Sequence, residues 1–358
     1  MTAFKQDIRF ARTQDGVRIA YAVSGRGYPL VRATHWLTNV ELDFRTPIYG
    51  PLIEAFSARY RLYRYNARGY GLSEGAGMAL SLETHLHDLE AAIDAAGHEQ
   101  FALYGSSGGG PVCIAYAARH PERVSHLVLV NTFARGILRR NPTPEQEERF
   151  FAMLRLVELG WGEENPAFRQ MFTSQLFPGA TLEQQRATNE LQRLTASGPQ
   201  AARFLLSNSE LDVSDFLGQV ACPTLVANSR GDARVPFEEG RALAAALPNA
   251  RFVSLPSDNH IPLPQEPAFR QLIEEIERFL PSAPNVDGKG REMTNLSHRE
   301  RQVLELIARG RDNAQIGATL GVSDKTIRNH ITSIFGKLEV ENRSQAIVLA
   351  REARFGTD

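Results

Sequence analysis

Tyr104-Gly105-Ser106-Ser107-Gly108-Gly109-Gly110 decides how most of this chain is read. The segment follows the apolar run Phe101-Ala102-Leu103 and leads into Pro111-Val112-Cys113-Ile114, so it closes a short strand and opens a helix running from about 109 to 119. Within it, Gly105, Ser107 and Gly109 form a Gly-x-Ser-x-Gly pattern. Glycines at these places let the backbone turn sharply from strand to helix and lift one serine hydroxyl above the sheet. The helix N-terminus behind that hydroxyl favours negative charge. Taken alone the pattern is ambiguous, because Ser107 could equally be an ordinary turn serine.

Working outward, residues 7–34 read as strands: IRFART and VRIAYAVSG alternate around Gln14-Asp15-Gly16, a hairpin signal, and PLVRATH follows as a buried strand. YRLYRYN, a helix over 81–96, FALYG, the helix after the Gly-rich turn, VSHLVLVN, PTLVANS and RFVSLPS then alternate strand and helix. That order argues for a mainly parallel α/β sheet with helices on both faces. An acid, Asp232, follows the strand PTLVANS, and a histidine, His260, follows RFVSLPS. Ser107, Asp232 and His260 each sit after a strand, where the sheet should open into a site. Each has a plainer reading: Asp232 could cap a helix beginning near Pro236, His260 could be a loop histidine, and Asp258 could compete as its partner. The joint order favours a Ser-Asp-His constellation.

On these residues, 1–280 resembles the α/β-hydrolase superfamily. Tyr65-Asn66-Ala67-Arg68-Gly69-Tyr70-Gly71-Leu72-Ser73 is similar to its D-x-R-G-x-G-x-S turn, with Asn in place of Asp. Thr34-His35-Trp36-Leu37 occupies the position that usually carries His-Gly, with Trp36 in place of Gly. The resemblance implies Ser107 as nucleophile, His260 as base and Asp232 as its orienting acid, with the backbone N–H groups of Leu37 and Gly108 as oxyanion donors. The missing glycine implies slow turnover. A helical lid is expected over about 135–220, where Phe150, Phe151, Leu154, Trp161, Phe168 and Phe172 crowd together. Most should be core. His35, Trp36, Trp161 and Phe172 are expected to face a ligand, and Ala167 is the small lid residue expected to border the pocket. His85, His87, His98, His120 and His126 lack metal-ligand spacing, so no metal and no cofactor is expected.

The tail LSHRERQVLELIARGRDNAQIGATLGVSDKTIRNHITSIFGKLEVENRSQAIVLAREA, residues 296–353, has a different period. Val303, Leu304, Leu306 and Ile307, then Ile316 and Leu320, then Ile327, Ile331, Ile334 and Leu338 repeat at helical spacing, broken at Gly310 and Gly321. Gly321-Val322-Ser323 reads as the turn between two helices, with Ser323 as N-cap. Charge says little: from residue 291 onward eleven Lys or Arg face nine Asp or Glu. The segment resembles the LuxR-type helix-turn-helix domain at Leu296, Arg299-Glu300, Val303-Leu304, Gly310, Asn313, Ile316, Leu320, Ser323, Thr326-Ile327-Arg328, His330, Ile334, Lys337-Leu338, Arg343 and Ala346. Gly317 departs from the usual Ala and should loosen its helix. The resemblance implies four helices, a recognition helix over 323–337, and a last helix over about 343–353 that pairs two subunits. It places Arg328, Asn329 and Thr332 near base edges, Thr326 at the same interface, and Lys325 and Lys337 near phosphates of double-stranded DNA.

Between the two parts, PSAPNVDGKGREM (281–293) shows no core-facing pattern and reads as a linker of roughly 20 Å average span if flexible. Forty Lys or Arg against forty-one Asp or Glu give a net charge of −1, which provides no global attraction to nucleic acid or membrane. Cys113 and Cys222 each lie in an apolar run and read as buried thiols in a reducing compartment. The start, MTAFKQDIRFART, lacks a signal-peptide apolar region, and a cytoplasmic location is expected because DNA must be reachable. The reading is a ligand-responsive transcription factor, homodimeric, with DNA, an apolar ester, lactone or acyl compound, and RNA polymerase as candidate partners. Two alternatives stay open: an active ester or lactone hydrolase with an accessory DNA-binding tail, and a pseudo-hydrolase scaffold for protein partners.

Overall fold

The computed structural model describes residues 5–281, 296–338, 340, 342–352 and 355–356; most of the expected linker lies outside them. The chain divides into two compact units, one ending at Pro281 and one beginning at Ser282.

The first unit is built on an eight-stranded sheet of order β1-β2-β4-β3-β5-β6-β7-β8. β1 (Gln6–Arg12) and β2 (Arg18–Ser24) form the expected antiparallel hairpin, and β2 also pairs antiparallel with β4 (Tyr60–Tyr65). From β4 onward all pairings are parallel, through β3 (Tyr28–Arg32), β5 (Phe101–Ser107), β6 (Val124–Thr132), β7 (Thr224–Ser229) and β8 (Ala250–Leu255). Strand alternation sorts side chains to two cores. Ala102 and Tyr104 of β5 join one with α1 (Tyr49–Arg59) and α9 (Pro267–Phe279), while Phe101 and Leu103 join the other with α2 (Leu82–Ala96) and α3 (Gly109–Arg119). α8 (Phe237–Ala246) adds Leu243 to the second core. The central parallel strands β5 and β6 are buried on both faces and mostly apolar, so they read as near-continuous runs.

Between β6 and β7 stand four helices: α4 (Pro144–Gly160), α5 (Ala167–Leu176), α6 (Leu182–Thr195) and α7 (Gly198–Glu210). α4 and α6 start on reciprocal caps, Thr143 with Gln146 and Thr181 with Gln184, which satisfy first-turn amides that nothing else would bond. Their apolar faces enter the same core as α1 and α9. Cys113 and Cys222 are buried free thiols. Among the described residues no helix is long and apolar enough to cross a membrane.

The second unit holds α10 (His298–Ala308), α11 (Asn313–Leu320), α12 (Asp324–Leu338) and α13 (Arg343–Glu352), packed on Val303, Leu304, Ile307, Ile316, Ile327, Ile334, Leu338 and Ala350. Gly321 takes the left-handed conformation (φ 67°) that ends α11, and Ser323 Oγ accepts the Thr326 amide at 3.2 Å to start α12. Gly317, the departure from the usual Ala, sits in the last turn of α11. A Cβ there would lie 2.9 Å from the Val322 carbonyl oxygen, and the Val322 amide bonds Gly317 O at 3.0 Å, so the bare Cα lets the turn close tightly.

Candidate active site and DNA interface

Ser107 sits at φ 49°, a left-handed conformation that costs energy for any residue with a Cβ. The turn is held by close approaches that only glycine permits. A Cβ at Gly109 would lie 2.8 Å from the Thr34 carbonyl oxygen, and one at Gly105 would lie 2.8 Å from Gly110 Cα. Thr132 Oγ1 donates to Ser107 O at 2.5 Å, pinning the elbow to the end of β6.

His260 Nδ1 donates to Asp232 Oδ2 at 2.8 Å, and both side chains are buried. Asp232 Oδ1 accepts the amides of Arg234 (2.8 Å) and Val235 (3.1 Å), so the carboxylate is fixed through both oxygens. Asp258, the competing acid, is exposed and makes no such contact. With Nδ1 protonated, the buried Nε2 is a bare acceptor, and it has no partner. Ser107 and His260 line the same cavity, but the bond between them is not formed; such bonds commonly tighten only around substrate. Asn131, at φ 46°, fixes the loop from behind: its amide donates to His260 O and Ser229 Oγ and accepts the Ser229 amide at 2.6 Å.

The cavity measures about 70 Å³ and is lined by His35, Trp36, Ser107, Gly108, Phe172 and His260 among others. Trp36 stacks on Phe172 (centroids 4.9 Å, 27°), tying the loop after β3 to the lid. Leu37 is buried beside it, and among the described residues neither the Leu37 nor the Gly108 amide has an acceptor. Arg32 Nη2 approaches His35 Nδ1 at 3.4 Å. Because Arg only donates, Nδ1 accepts and Nε2 carries the proton. Burial first, then Arg32, holds His35 well below its usual pKa, so it is a neutral donor whose buried Nε2–H is unpartnered. The lid touches the histidine loop directly, since the His260 amide donates to Leu176 O at 2.8 Å and the Gly179 amide to Asn259 Oδ1 at 3.0 Å.

Two expectations need correction. Trp161 does not line the cavity: it is fully buried behind Trp36 and Phe172, with Nε1 donating to Gln192 O at 3.3 Å. Ala167 is exposed at the start of α5 and does not line this cavity. Both miss for one reason: helical spacing places residues on a face without saying which face meets the cavity. Conversely, Arg140, Asn208 and Arg234 line the cavity and were not anticipated. Arg234 stood two residues from Asp232 and could have been flagged; Arg140 and Asn208 are brought in only by the tertiary fold. Asn66 explains its departure from Asp: Nδ2 donates to Thr38 O (2.7 Å) while Oδ1 accepts the Val40 amide (3.2 Å), a double role no carboxylate can fill. His85 is buried, bonded to Ser207 Oγ at 3.2 Å and lowered to about 4 by burial.

In the second unit, Ile327, Ile334 and Leu338 bury one side of α12, leaving Lys325, Arg328, Asn329 and Thr332 exposed at three- and four-residue spacing on another. Arg328 pairs with Asp324 one turn earlier, Thr326 Oγ1 bonds Ser323 Oγ at 2.9 Å, and Thr332 Oγ1 donates to Arg328 O. Lys337, expected near phosphates, is engaged within the protein. Its Nζ donates to both oxygens of buried Glu300 (2.9 and 2.7 Å), tying α12 to α10. That pairing lowers the Glu300 carboxyl to about 2. On α13, Ala346 and Ala350 face inward while Val348 is exposed.

Residues 42–267 match the family described as alpha/beta hydrolase fold, and residues 294–350 match bacterial regulatory proteins of the luxR family. The chain is 31% identical over 216 residues to the "Putative carbamate hydrolase RutD" of Klebsiella pneumoniae (strain 342), covering 58% of this chain and 76% of that one. It is 25% identical to the pimeloyl-[acyl-carrier protein] methyl ester esterase of Aliivibrio salmonicida, over 73% of this chain and 95% of that one. Among solved structures, the esterase EaEST from Exiguobacterium antarcticum superposes with a TM-score of 0.65 at 20% identity, covering 75% of this chain and 98% of that one.

Proposed function

Because the chain belongs to the α/β-hydrolase fold family and carries a LuxR-family regulatory domain, we propose that it is a DNA-binding regulator controlled by a small acyl-type molecule held beside Ser107. The observation that carries this reading is a lidded cavity containing Ser107 and His260 in the same chain as an exposed Lys325-Arg328-Asn329-Thr332 helix face. A ligand can shift DNA affinity only by binding two arrangements of the protein unequally. The bond from the His260 amide to Leu176 O makes the lid a suitable element to differ between them. DNA is bound by the luxR-family domain as a homodimer paired through α13, whose Val348 is exposed for such a contact. The protein works in the cytoplasm, and RNA polymerase is a candidate further partner. The test is the affinity of full-length wild type and Ser107→Ala for promoter DNA, each with and without a cavity ligand. Loss of ligand response in a Ser107→Ala protein that still binds the ligand would replace simple receptor action by covalent signalling.

A second reading, an ester or lactone hydrolase with a DNA-binding tail, is favoured by the bare, unpartnered Nε2 of His260. Ser107 Oγ would add to the acyl carbon as Nε2 takes its proton. The leaving group would depart with that proton, and water would repeat the sequence to release the acid. The amides of Leu37 and Gly108 would hold the oxyanion. The likeness to a methyl ester esterase and a carbamate hydrolase supports acyl chemistry of this class. A serine-directed phosphonate should label Ser107 in the wild type and not in His260→Ala; intact mass showing no adduct on folded wild type rejects the nucleophilic role.

A further inference from the structure

The cavity is not uniformly apolar. Arg140 and Arg234 stand in its wall together with Phe133 and Phe172. The Arg234 guanidinium lies over the Phe172 ring at 5.1 Å, and that of Arg140 over Phe133 at 5.0 Å. Arg140 is partly compensated: its Nε donates to Arg135 O at 2.6 Å and lies 3.4 Å from Glu239. Among the described residues, the Arg234 guanidinium has no hydrogen-bond acceptor and no carboxylate within ion-pair distance. The nearest acid in sequence, Asp232, is already occupied by His260 and two backbone amides.

Arginine does not shed its proton in a protein, so this charge persists in a half-buried wall. Burial disfavours it most, the Asp232 carboxylate offsets part of that, and the neighbouring Arg140 adds to the penalty, so its pKa is pushed down. An unpaired charge in such a place is costly unless something of opposite sign arrives. The planar fork of a guanidinium matches the two oxygens of a carboxylate. Asn208, whose Oδ1 is buried and unpartnered, lines the cavity as well and would accept from a ligand donor. A cavity of about 70 Å³ suits a short-chain occupant.

We propose that Arg140 and Arg234 form an anion-recognising end of the cavity, and that the molecule held beside Ser107 is a short acyl ester or related acyl compound bearing a carboxylate. This rests on the reading of the cavity as a small-molecule site, and it replaces a wholly apolar ligand by one with an apolar body and an anionic end.

The experiment uses two esters of matched shape, monomethyl succinate and its uncharged isostere methyl 4-methylpentanoate. Binding to full-length Ser107→Ala is measured by calorimetry, with inorganic phosphate as a third probe. Monomethyl succinate should bind roughly tenfold or more tightly than the isostere, a typical advantage for a charge-assisted pair. Adding Arg234→Gln should remove most of that preference, adding Arg140→Gln part of it, and Arg234→Lys should retain some. Melting temperature identifies any variant that fails to fold, in which case the other arginine variant decides. Equal binding of the two esters, binding of neither, or a preference surviving both Gln substitutions overturns the proposal. Phosphate binding more tightly than monomethyl succinate assigns the pair to a different anion and also overturns it. Phosphonate labelling of Ser107 is scored separately. Labelling without anion preference rejects only this proposal, and anion preference without labelling rejects only the nucleophilic role of Ser107.

Discussion

Asn66 shows how much one side chain decides. It both donates to Thr38 O and accepts from the Val40 amide, so it shapes the loop that carries His35, Trp36 and Leu37. Asn66→Asp would set a carboxylate oxygen against the Thr38 carbonyl and should cost about 1–3 kcal/mol, read from the urea midpoint. Lys337 makes a second case. Its charge is spent on Glu300, whose lowered carboxyl contributes stability that is full above the unfolded value near 4.5 and lost as pH falls toward about 2. Amide exchange in α10 and α12 should therefore accelerate over that acid range in wild type and show much less pH dependence in Glu300→Gln. For the same reason Lys337→Gln should alter the salt dependence of DNA binding by well under one unit of slope, whereas Lys325→Gln should lower it by about one.

At the level of elements, the β5–α3 elbow depends on backbone contacts rather than on side-chain packing. Gly109→Ala would force a Cβ against the Thr34 carbonyl and should destabilise the first unit by roughly 1–3 kcal/mol, with phosphonate labelling of Ser107 reduced alongside. Recovery of full labelling and an unchanged urea midpoint would contradict this account of the turn. In the second unit the exposed face of α12 carries the proposed readout. Arg328→Ala should weaken specific DNA binding by about 1–3 kcal/mol relative to non-specific DNA, after release of its pairing with Asp324. An equal loss on both DNAs would make Arg328 a phosphate contact instead.

For the whole molecule, the two units imply a division of labour that separate fragments can test. A fragment ending at Pro281 should lack promoter binding, since the helix-turn-helix elements lie beyond it. Blocking the cavity from within should abolish the ligand response. Leu205→Trp is the suitable change, because Leu205 lines the cavity whereas Ala167 does not. Gel shifts with and without monomethyl succinate should then show wild-type DNA affinity but no shift on adding ligand. Retained response would move the sensing site elsewhere.

Both domain identities were legible in the chain by itself. Strand–helix alternation, the order Ser107, Asp232, His260, and the 3.6-residue period of the tail are local patterns, and local patterns survive in one dimension. So did the central strands, because parallel strands buried on both faces are mostly apolar. What only the tertiary structure decided is which side chains share the cavity. Trp161 and Phe172 looked equivalent as lid aromatics, yet one stands behind the other. Arg140, Asn208 and Arg234 come from three separate segments and meet only after the lid closes over the sheet. Asp232, not Asp258, became the partner of His260 because its turn directs the carboxylate inward. The physical reason is the same each time: burial and pairing depend on distances between segments remote in sequence, and periodicity encodes a face but not its neighbour.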